Sequence, residues 1–307
     1  MEPISRKYRD RIMRMIAASQ GPAFVSDKNV YQLGNSAILP FIDGMIEDNL
    51  LPGSEVRGID RLESLLESSR SGEPCLLLLE HYSNFDLPVF HYLLAKAGGK
   101  GREVADALLA IAGIKLNESN PVVLAFTEAY TRLVIYPSRS IESLKEKLKE
   151  SPKDLVAEMM RSTAVNLASM RKLSELKKEG KLVLVFPSGT RYRPWDPSSK
   201  RGVREIDSYI KSFSKMCLIA INGNILRLNT EGGMEDDLVC EDRVVYTVSQ
   251  VIDCHEFRET VKANYRLRDE IKSGHPFRDD KKQAIVDEAM AQLERLHEAT
   301  EKDRLTQ

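Results

Sequence analysis

The sequence predicts an α/β fold, with a mixed, largely parallel sheet wrapped by helices and preceded by a small N-terminal helical subdomain. Short apolar runs such as Cys75–Leu79 and Leu182–Phe186 are bounded by polar residues, which is typical of strands buried on both faces. Segments with apolar residues at helical spacing, for example Gly58–Ser69, lie between such runs. Strands that alternate with helices favour a largely parallel sheet covered by helices.

Residues 1–52 are predicted to form the helical subdomain, and residues 53–307 the α/β domain. Two helices are expected in the subdomain, Ser5–Ser19 and Asp27–Asp48. Pro40 lies inside the second helix, where a proline kinks or splits the helix because its nitrogen carries no hydrogen to donate.

The elements of the α/β domain alternate along the chain. The apolar segment Ala107–Ile114 could be either a strand or a helix by its periodicity. The predicted strands are Cys75–Leu79, Leu133–Tyr136, Leu182–Phe186, Met216–Ile221 and Val244–Ile252, and the predicted helices are Gly58–Ser69, Asp86–Lys96, Pro121–Tyr130, Asp154–Lys178, Ile206–Phe213 and Lys281–Thr300.

The composition of the 307 residues, 42% hydrophobic and 30% charged, is that of a globular protein. A net charge of −1 argues against a general nucleic-acid-binding protein. No apolar run approaches the ~20 residues that span a bilayer, and the N-terminus lacks the apolar region of a secretory signal. We therefore expect a soluble or peripherally membrane-associated protein of the cytoplasm or an organelle stroma. The cysteines form no CxxC pair and are expected to be buried thiols in a reducing compartment rather than zinc ligands: Cys75, Cys217, Cys240 and Cys254.

Basic and apolar residues interleave near the N-terminus. Such a helix could lie at the surface of an anionic membrane. The alternative is a solvated helix that packs one face on the body of the protein. The residues concerned are the basic Arg6, Lys7, Arg9, Arg11 and Arg14 and the apolar Tyr8, Ile12, Met13 and Ile16.

The first candidate site follows the buried strand Cys75–Leu79. His81 lies at the end of this strand, and Asp86 begins the next helix, from where its carboxylate can turn back toward the imidazole. An aspartate that accepts from one ring nitrogen leaves the other nitrogen free as a base. This pair has no nucleophile of its own, so it suits an enzyme that deprotonates a hydroxyl group of its substrate. The alternative is a structural histidine followed by a helix cap.

The second candidate site follows the buried strand Leu182–Phe186. Ser188, Gly189 and Thr190 form a predicted turn whose backbone N–H groups can hold a phosphate or a developing oxyanion. Arg191 and Arg193 can clamp a phosphate, because the guanidinium group presents its donors in a fixed fork. The alternative is a pair of arginines in surface ion pairs.

Three segments resemble the conserved boxes of the glycerolipid acyltransferases. His81–Asp86, HYSNFD, is similar to their H-x4-D box, and Phe186–Arg191, FPSGTR, is similar to their F-P-E-G-T-R box with serine in place of glutamate. Pro187–Pro194 is closer to the P-S-G-G-R-D-R-P form of the soluble, plastid-type glycerol-3-phosphate acyltransferases. Leu133–Arg139 resembles the middle, arginine-containing box more weakly. The resemblance covers about residues 56–252.

The resemblance implies the role of each residue. His81 takes the proton from a hydroxyl of glycerol-3-phosphate as that hydroxyl attacks an acyl thioester, and Asp86 orients the imidazole. Arg191 and Arg193 bind the phosphate, and Arg139 is a third contact. Acyl-CoA or acyl carrier protein supplies the acyl group, and the family chemistry requires no metal and no cofactor.

Several alternatives remain open at this point. Lysophosphatidate is the rival acceptor, since it needs the same base and the same clamp. A hydrolase that uses Ser188 as its nucleophile is disfavoured, because the G-x-S-x-G elbow is absent. A non-catalytic protein that binds lipid or an acyl carrier is the remaining class. Lys200, Arg201 and Arg204 could meet an acidic acyl carrier protein or form a solvated loop. His91 and Glu80 are expected to point away from the site.

Overall fold

The computed structural model of the chain describes residues 1–230, 232–233, 236–271 and 281–306. Its strands are β1 (Glu2–Pro3), β2 (Tyr31–Gln32), β3 (Glu55–Arg57), β4 (Cys75–Leu79), β5 (Leu108–Gly113), β6 (Arg132–Ile135), β7 (Leu182–Val185), β8 (Lys215–Asn222), β9 (Leu226–Arg227), β10 (Leu238–Val239), β11 (Val245–Val248) and β12 (Ile252–Asp253). Its helices are α1 (Ile4–Lys7), α2 (Arg9–Ala18), α3 (Leu39–Glu47), α4 (Ile59–Arg70), α5 (Asp86–Ala97), α6 (Gly99–Ala107), α7 (Lys115–Glu118), α8 (Pro121–Glu128), α9 (Ser138–Lys147), α10 (Pro152–Leu176), α11 (Ile206–Ser212), α12 (Cys254–Ile271) and α13 (Lys281–Thr306).

The larger sheet has the strand order β2-β6-β5-β7-β4-β8-β11-β3, and β12 also pairs with β8. The five neighbours from β6 to β8 run parallel. Antiparallel pairing occurs where β2 joins β6 and where β11 and β12 join β8. A smaller antiparallel sheet has the order β1-β10-β9. The predicted α/β fold with a mixed, largely parallel sheet wrapped by helices is confirmed.

Strand β4 is buried along its whole length and separates two apolar cores. Leu77 and Leu79 belong to one core, together with the helices from α1 to α6. Leu76 and Leu78 belong to the other, together with α10, α11 and α13. Burying a leucine side chain stabilises the fold by roughly 1.5–3 kcal/mol, so this run fixes β4 firmly in the middle of the sheet.

The strand predictions at the centre of the sheet are confirmed. For β4, both the predicted first residue and the predicted last residue agree with the structure. The ambiguous segment Ala107–Ile114 contains strand β5, and the predicted strand Val244–Ile252 divides into β11 and the start of β12. The helix predicted over Asp27–Asp48 is wrong before residue 39, because β2 lies there and pairs with β6. Pro40 does not kink this helix: it lies in the first turn of α3, where no N–H is needed.

The first 52 residues pack directly on the α/β core. Ile4, Met15 and Ile42 are buried in the same cluster as Leu77. The buried carboxylate of Glu128 accepts hydrogen bonds from the N-terminal segment, at distances between 2.5 and 3.1 Å. The division into two domains at residue 52 stays a prediction.

The apolar side of the N-terminal helices is used for packing. Tyr8 and Ile12 are buried, whereas Met13 is 59% exposed. Arg11 forms an ion pair with Asp48 at 2.7 Å. Across the described ranges, no helix has both the length and the apolar character that crossing a bilayer requires.

Candidate active site

Strand β4 delivers His81 to the carboxyl edge of the sheet. The Glu80 amide still bonds to the Ile219 carbonyl of β8 at 3.1 Å, and the chain leaves the sheet immediately afterwards. The His81 Nδ1 atom lies 2.9 Å from Asp86 Oδ2, and the His81 side chain is 18% exposed. The structure therefore brings together the two residues of the first box.

The Asp86 carboxylate is held by the loop that it follows. Its Oδ2 atom accepts hydrogen bonds from the amides of Tyr82 at 2.6 Å and Ser83 at 2.9 Å, and its Oδ1 atom accepts from the Ser83 hydroxyl at 3.0 Å. Asp86 is the first residue of α5, where the helix dipole favours a negative charge. The Tyr246 hydroxyl fixes the backbone by donating to the Asp86 carbonyl at 2.7 Å. These contacts aim the carboxylate at Nδ1 of His81 and leave Nε2 as the ring nitrogen available for chemistry.

The loop after β7 lies against His81. Strands β4 and β7 are parallel neighbours, so their carboxyl ends lie side by side. The Phe186 ring stacks on the imidazole of His81 with centroids 4.0 Å apart and an interplanar angle of 21°. The Tyr192 amide donates to the His81 carbonyl at 2.8 Å. The two predicted boxes thus form one site.

The turn at Ser188–Thr190 is tightly folded. Gly189 has φ of +63°, which a glycine adopts without strain, and its amide donates to the Phe186 carbonyl at 3.0 Å. Ser188 is buried, and its hydroxyl donates to the Thr190 carbonyl at 2.7 Å. Because that hydroxyl bonds within the turn rather than to a base, Ser188 does not have the arrangement of an activated nucleophile.

Arg191 is anchored by a buried carboxylate. Its guanidinium group forms an ion pair with Asp237, which also accepts from Asn84 Nδ2 at 3.3 Å and from the Asn229 amide at 3.3 Å. Burial raises the pKa of the Asp237 carboxyl, and the charge of Arg191 opposes that rise. Arg193 differs: its side chain is exposed and forms no ion pair within the described part of the chain. Arg191 is held in place, and Arg193 is available to a ligand.

Arg139 lies at the same edge of the sheet but farther away. It is exposed on α9, which follows β6. Strands β5 and β7 lie between β6 and β4, which puts β6 about 14 Å from β4 at the usual spacing of strands. The structure does not bring Arg139 into contact with His81, and its role stays a prediction.

The sequence analysis missed a second histidine beside the site. Glu80 is buried, and its Oε2 atom accepts from the Ile221 amide at 2.8 Å and lies 3.0 Å from Nδ1 of His297 on α13. The Tyr82 hydroxyl donates to Glu80 Oε1 at 3.1 Å. Burial lowers the pKa of His297, but the hydrogen bond and the charge of Glu80 outweigh it, so the pKa of His297 lies above its ordinary value. In the sequence, the available signal was Glu80, a charged residue directly after a strand of leucines. That signal did not identify His297 as its partner.

Other polar residues near the site have structural partners. Lys200 and Arg201 form ion pairs with Glu294 and Asp287 of α13, the second of them at 3.8 Å. His91 lies in the core against the Tyr130 ring, and burial lowers the pKa of His91 to about 4. His91 is therefore neutral at physiological pH and away from the reacting pair.

A comparison with protein families finds a match. The family described as Acyltransferase matches residues 54–215, more than half of the chain. The matched region contains His81, Asp86, Arg139 and the whole loop from Ser188 to Arg193. No curated protein matches the chain significantly.

Proposed function

The chain belongs to the acyltransferase family and is an enzyme of acyl transfer in lipid synthesis, and from this premise we propose that it transfers a fatty acyl group from an acyl thioester to glycerol-3-phosphate. The observation that carries the proposal is the His81–Asp86 pair beside an arginine-bearing loop. This arrangement suits an acceptor that has both a hydroxyl group and a phosphate.

His81 acts as the general base. Its Nε2 atom takes the proton of the acceptor hydroxyl while the hydroxyl oxygen attacks the thioester carbonyl. The tetrahedral intermediate then expels the thiolate, which receives the proton from the imidazolium. Asp86 keeps the Nδ1–H of His81 in place throughout and stabilises the imidazolium. An ester forms, the thioester bond breaks, and no acyl-enzyme is involved.

The loop after β7 positions the acceptor. Arg193 and Arg191 contact the phosphate, and Asp237 keeps the Arg191 guanidinium in a fixed orientation. Since the Gly189 amide is bonded within the turn, backbone contacts to an anion rest on the amides of Ser188 and Thr190. Holding the phosphate places the hydroxyl near His81, which lowers the entropic part of the barrier.

The form of the turn after β7 bears on the choice of acceptor. The P-S-G form of the turn favours glycerol-3-phosphate, and lysophosphatidate, which needs the same base and clamp, is the second candidate. Acyl-CoA and acyl carrier protein both fit as donors. The ion pairs of Lys200 and Arg201 with α13 remove one argument for an acidic carrier protein.

A peripheral contact with an anionic membrane would suit a lipid product. Because Tyr8 and Ile12 pack inside, the N-terminal helices would offer lipid chiefly their basic side chains, such as Arg9 and Arg14. We propose the cytoplasm or an organelle stroma as the compartment. The reaction uses neither a metal nor a cofactor.

The test is thiol release from palmitoyl-CoA and from a palmitoyl carrier protein. Glycerol-3-phosphate and lysophosphatidate are offered separately, the lipid product is identified by mass spectrometry, and the His81→Ala variant is the control. Release stimulated by glycerol-3-phosphate is the expected result. Stimulation by lysophosphatidate alone would establish the second candidate. Release that depends on neither acceptor, or no release with either donor, would refute both.

A further inference from the structure

Glu80 is a carboxylate buried where strand β4 ends. Its side chain is 4% exposed and is turned toward helix α13. A buried carboxylate destabilises a fold unless polar partners surround it. The partners of Glu80 are the Ile221 amide at 2.8 Å, Nδ1 of His297 at 3.0 Å and the Tyr82 hydroxyl at 3.1 Å. Both of its oxygens are therefore occupied, one of them by a side chain from the loop that carries the reacting pair.

Tyr82 joins this buried carboxylate to the reacting pair. Its hydroxyl donates to Glu80, and its amide donates to Asp86 Oδ2 at 2.6 Å. The same Oδ2 atom lies 2.9 Å from Nδ1 of His81. Burial and the charge of Glu80 raise the pKa of Tyr82 above its ordinary value, so the hydroxyl keeps its proton and acts as a donor. Tyr82 is thus bound to one carboxylate by its backbone and to another by its side chain.

The ring of Tyr82 lies between α13 and the loop after β7. It meets the His297 ring with centroids 5.7 Å apart. It meets the Tyr192 ring edge-on, with centroids 5.9 Å apart and an interplanar angle of 86°. The amide of Tyr192 in turn donates to the His81 carbonyl at 2.8 Å. A change of the Tyr82 rotamer would therefore break contacts on both sides of the site.

Helix α13 is fixed along its axis where it carries His297. Asn222, at the end of β8, donates its Nδ2 to the His297 carbonyl at 3.1 Å. The Thr300 hydroxyl donates to the Thr247 hydroxyl of β11 at 2.9 Å. Since these contacts tie α13 to two strands, His297 meets Glu80 from a fixed position.

We propose that Tyr82 is a positioning residue of the His81–Asp86 pair, and that His297 of α13 holds Tyr82 in place through Glu80. With Tyr82 fixed, its amide keeps Asp86 Oδ2 directed at Nδ1 of His81, and this favours the tautomer that leaves Nε2 free. This role rests on the proposed function, since it takes His81 to be the base. The geometry of the reacting pair then depends on a side chain that lies 217 residues from Glu80 in the chain.

The alternative is that Glu80 and His297 only anchor α13 on the sheet. Such an anchor needs these two side chains but not the hydroxyl of Tyr82. Tyr82→Phe removes that hydroxyl and leaves the ring and the contact between Glu80 and His297 in place. This variant therefore separates a positioning role from a purely structural one.

The first test is the kinetics of thiol release. Tyr82→Phe should lower kcat about three- to tenfold and change KM for glycerol-3-phosphate less than about twofold, because the lost hydrogen bond orients the base and does not touch the acceptor. Tyr92→Phe is the matched control: it removes a hydroxyl that donates to Glu47 of α3 at 2.9 Å, and it should keep the wild-type kcat and KM. An unchanged kcat in Tyr82→Phe, or a rise in KM as large as the fall in kcat, would overturn the positioning role.

A double variant tests the link to α13. His297→Gln alone should lower kcat less than Tyr82→Phe does. The double variant Tyr82→Phe, His297→Gln should lower kcat no further than Tyr82→Phe alone, because both substitutions act through the same contact with Glu80. Effects on kcat that multiply in the double variant would overturn the role of His297.

Nuclear magnetic resonance reads the imidazole directly. Two-bond proton–nitrogen correlation spectra of the full chain with isotope-labelled histidine, at about pH 9 where an ordinary histidine is neutral, give the tautomer of His81. The signals that are missing in His81→Ala identify this residue. The expected wild-type result is the Nδ1–H form. Tyr82→Phe should raise the share of the Nε2–H form, and Tyr92→Phe should not.

The two measurements separate the positioning role from the proposed function. An unchanged His81 tautomer in Tyr82→Phe would overturn the positioning role even if the chain transfers acyl groups. A changed tautomer without thiol release by the wild-type chain would support the positioning role and refute the proposed function alone.

Discussion

The loops after β4 and after β6 leave the same edge of the sheet, and the sequence predicts a site residue in each. The loop after β4 places His81 within 2.9 Å of Asp86 and in contact with the loop after β7. The loop after β6 leads into α9, where Arg139 is exposed and has β5 and β7 between its strand and β4. Both segments follow a predicted strand in the sequence, but the one with His81 lies at the reacting atoms and the one with Arg139 lies farther away.

The difference comes from the order of the strands. Strand β7 follows β6 in the chain, yet it lies between β5 and β4 in the sheet. The arginines after β7 are consequently neighbours of His81, and the arginine after β6 is not. This comparison ranks the expected effects of substitution. The largest is expected at the base, His81, followed by the phosphate contact Arg193 and then His297 of α13. The smallest is expected at Arg139.

The largest effect is expected from the base. His81→Ala should lower kcat by about 10⁴-fold, because it removes the proton acceptor, while the protein stays folded. Asp86→Asn should leave more activity, since it impairs the orientation of the imidazole rather than the base itself. Both are measured by thiol release and circular dichroism. His255→Ala, which changes an exposed histidine on α12, is the control and should have wild-type kcat.

The second effect is on acceptor binding. Arg193→Ala should raise KM for glycerol-3-phosphate about tenfold and change kcat less, because a charge-assisted hydrogen bond is lost. Arg193→Lys keeps the charge without the fork and should lie in between. Trp195, the only tryptophan of the chain, lies two residues away, so its fluorescence reports binding directly. An unchanged KM in both variants would remove Arg193 from the clamp.

Arg191 is less suitable for this test because of Asp237. Arg191→Ala would leave the buried Asp237 carboxylate without its cation, and an unpaired buried charge destabilises a fold by several kcal/mol. A loss of activity could then come from a loss of structure.

A smaller effect is expected from the contact of His297 with Glu80. The folded-state pKa of His297 is raised, so its charged form stabilises the protein fully below pH 6.5, the ordinary value, and this contribution disappears as the pH rises through the raised pKa. His297→Gln should therefore lower the melting temperature most at pH 5–6 and progressively less above that range, by an amount equivalent to about 1–2 kcal/mol at most. A difference from wild type that does not change with pH would contradict the ion pair. A modest fall in kcat should accompany it, since Glu80 precedes His81.

The sequence predicted the parts of the site that local spacing determines. The leucine-rich run gave the bounds of β4, and four intervening residues sufficed to bring Asp86 back to His81. Asp237 and His297 are 46 and 217 residues from their partners, Arg191 and Glu80, and only the assembled sheet and the packing of α13 bring them together. The same limit explains the error before residue 39, where pairing of β2 with β6 outweighed a helical pattern.

The smallest effect is expected from Arg139, and it tests the comparison most directly. Arg139→Ala should change KM for glycerol-3-phosphate less than about twofold, because an acceptor held by Arg193 next to His81 would have to reach past the ends of β7 and β5 to meet it. The neighbouring Ser138 hydroxyl donates to Glu205 at 2.7 Å, so the beginning of α9 is held toward α11. A rise in KM as large as that of Arg193→Ala would mean that the phosphate lies across several strand ends. Arg139 would then belong to the phosphate clamp, and the order of the strands would not predict how much each arginine contributes to binding of glycerol-3-phosphate.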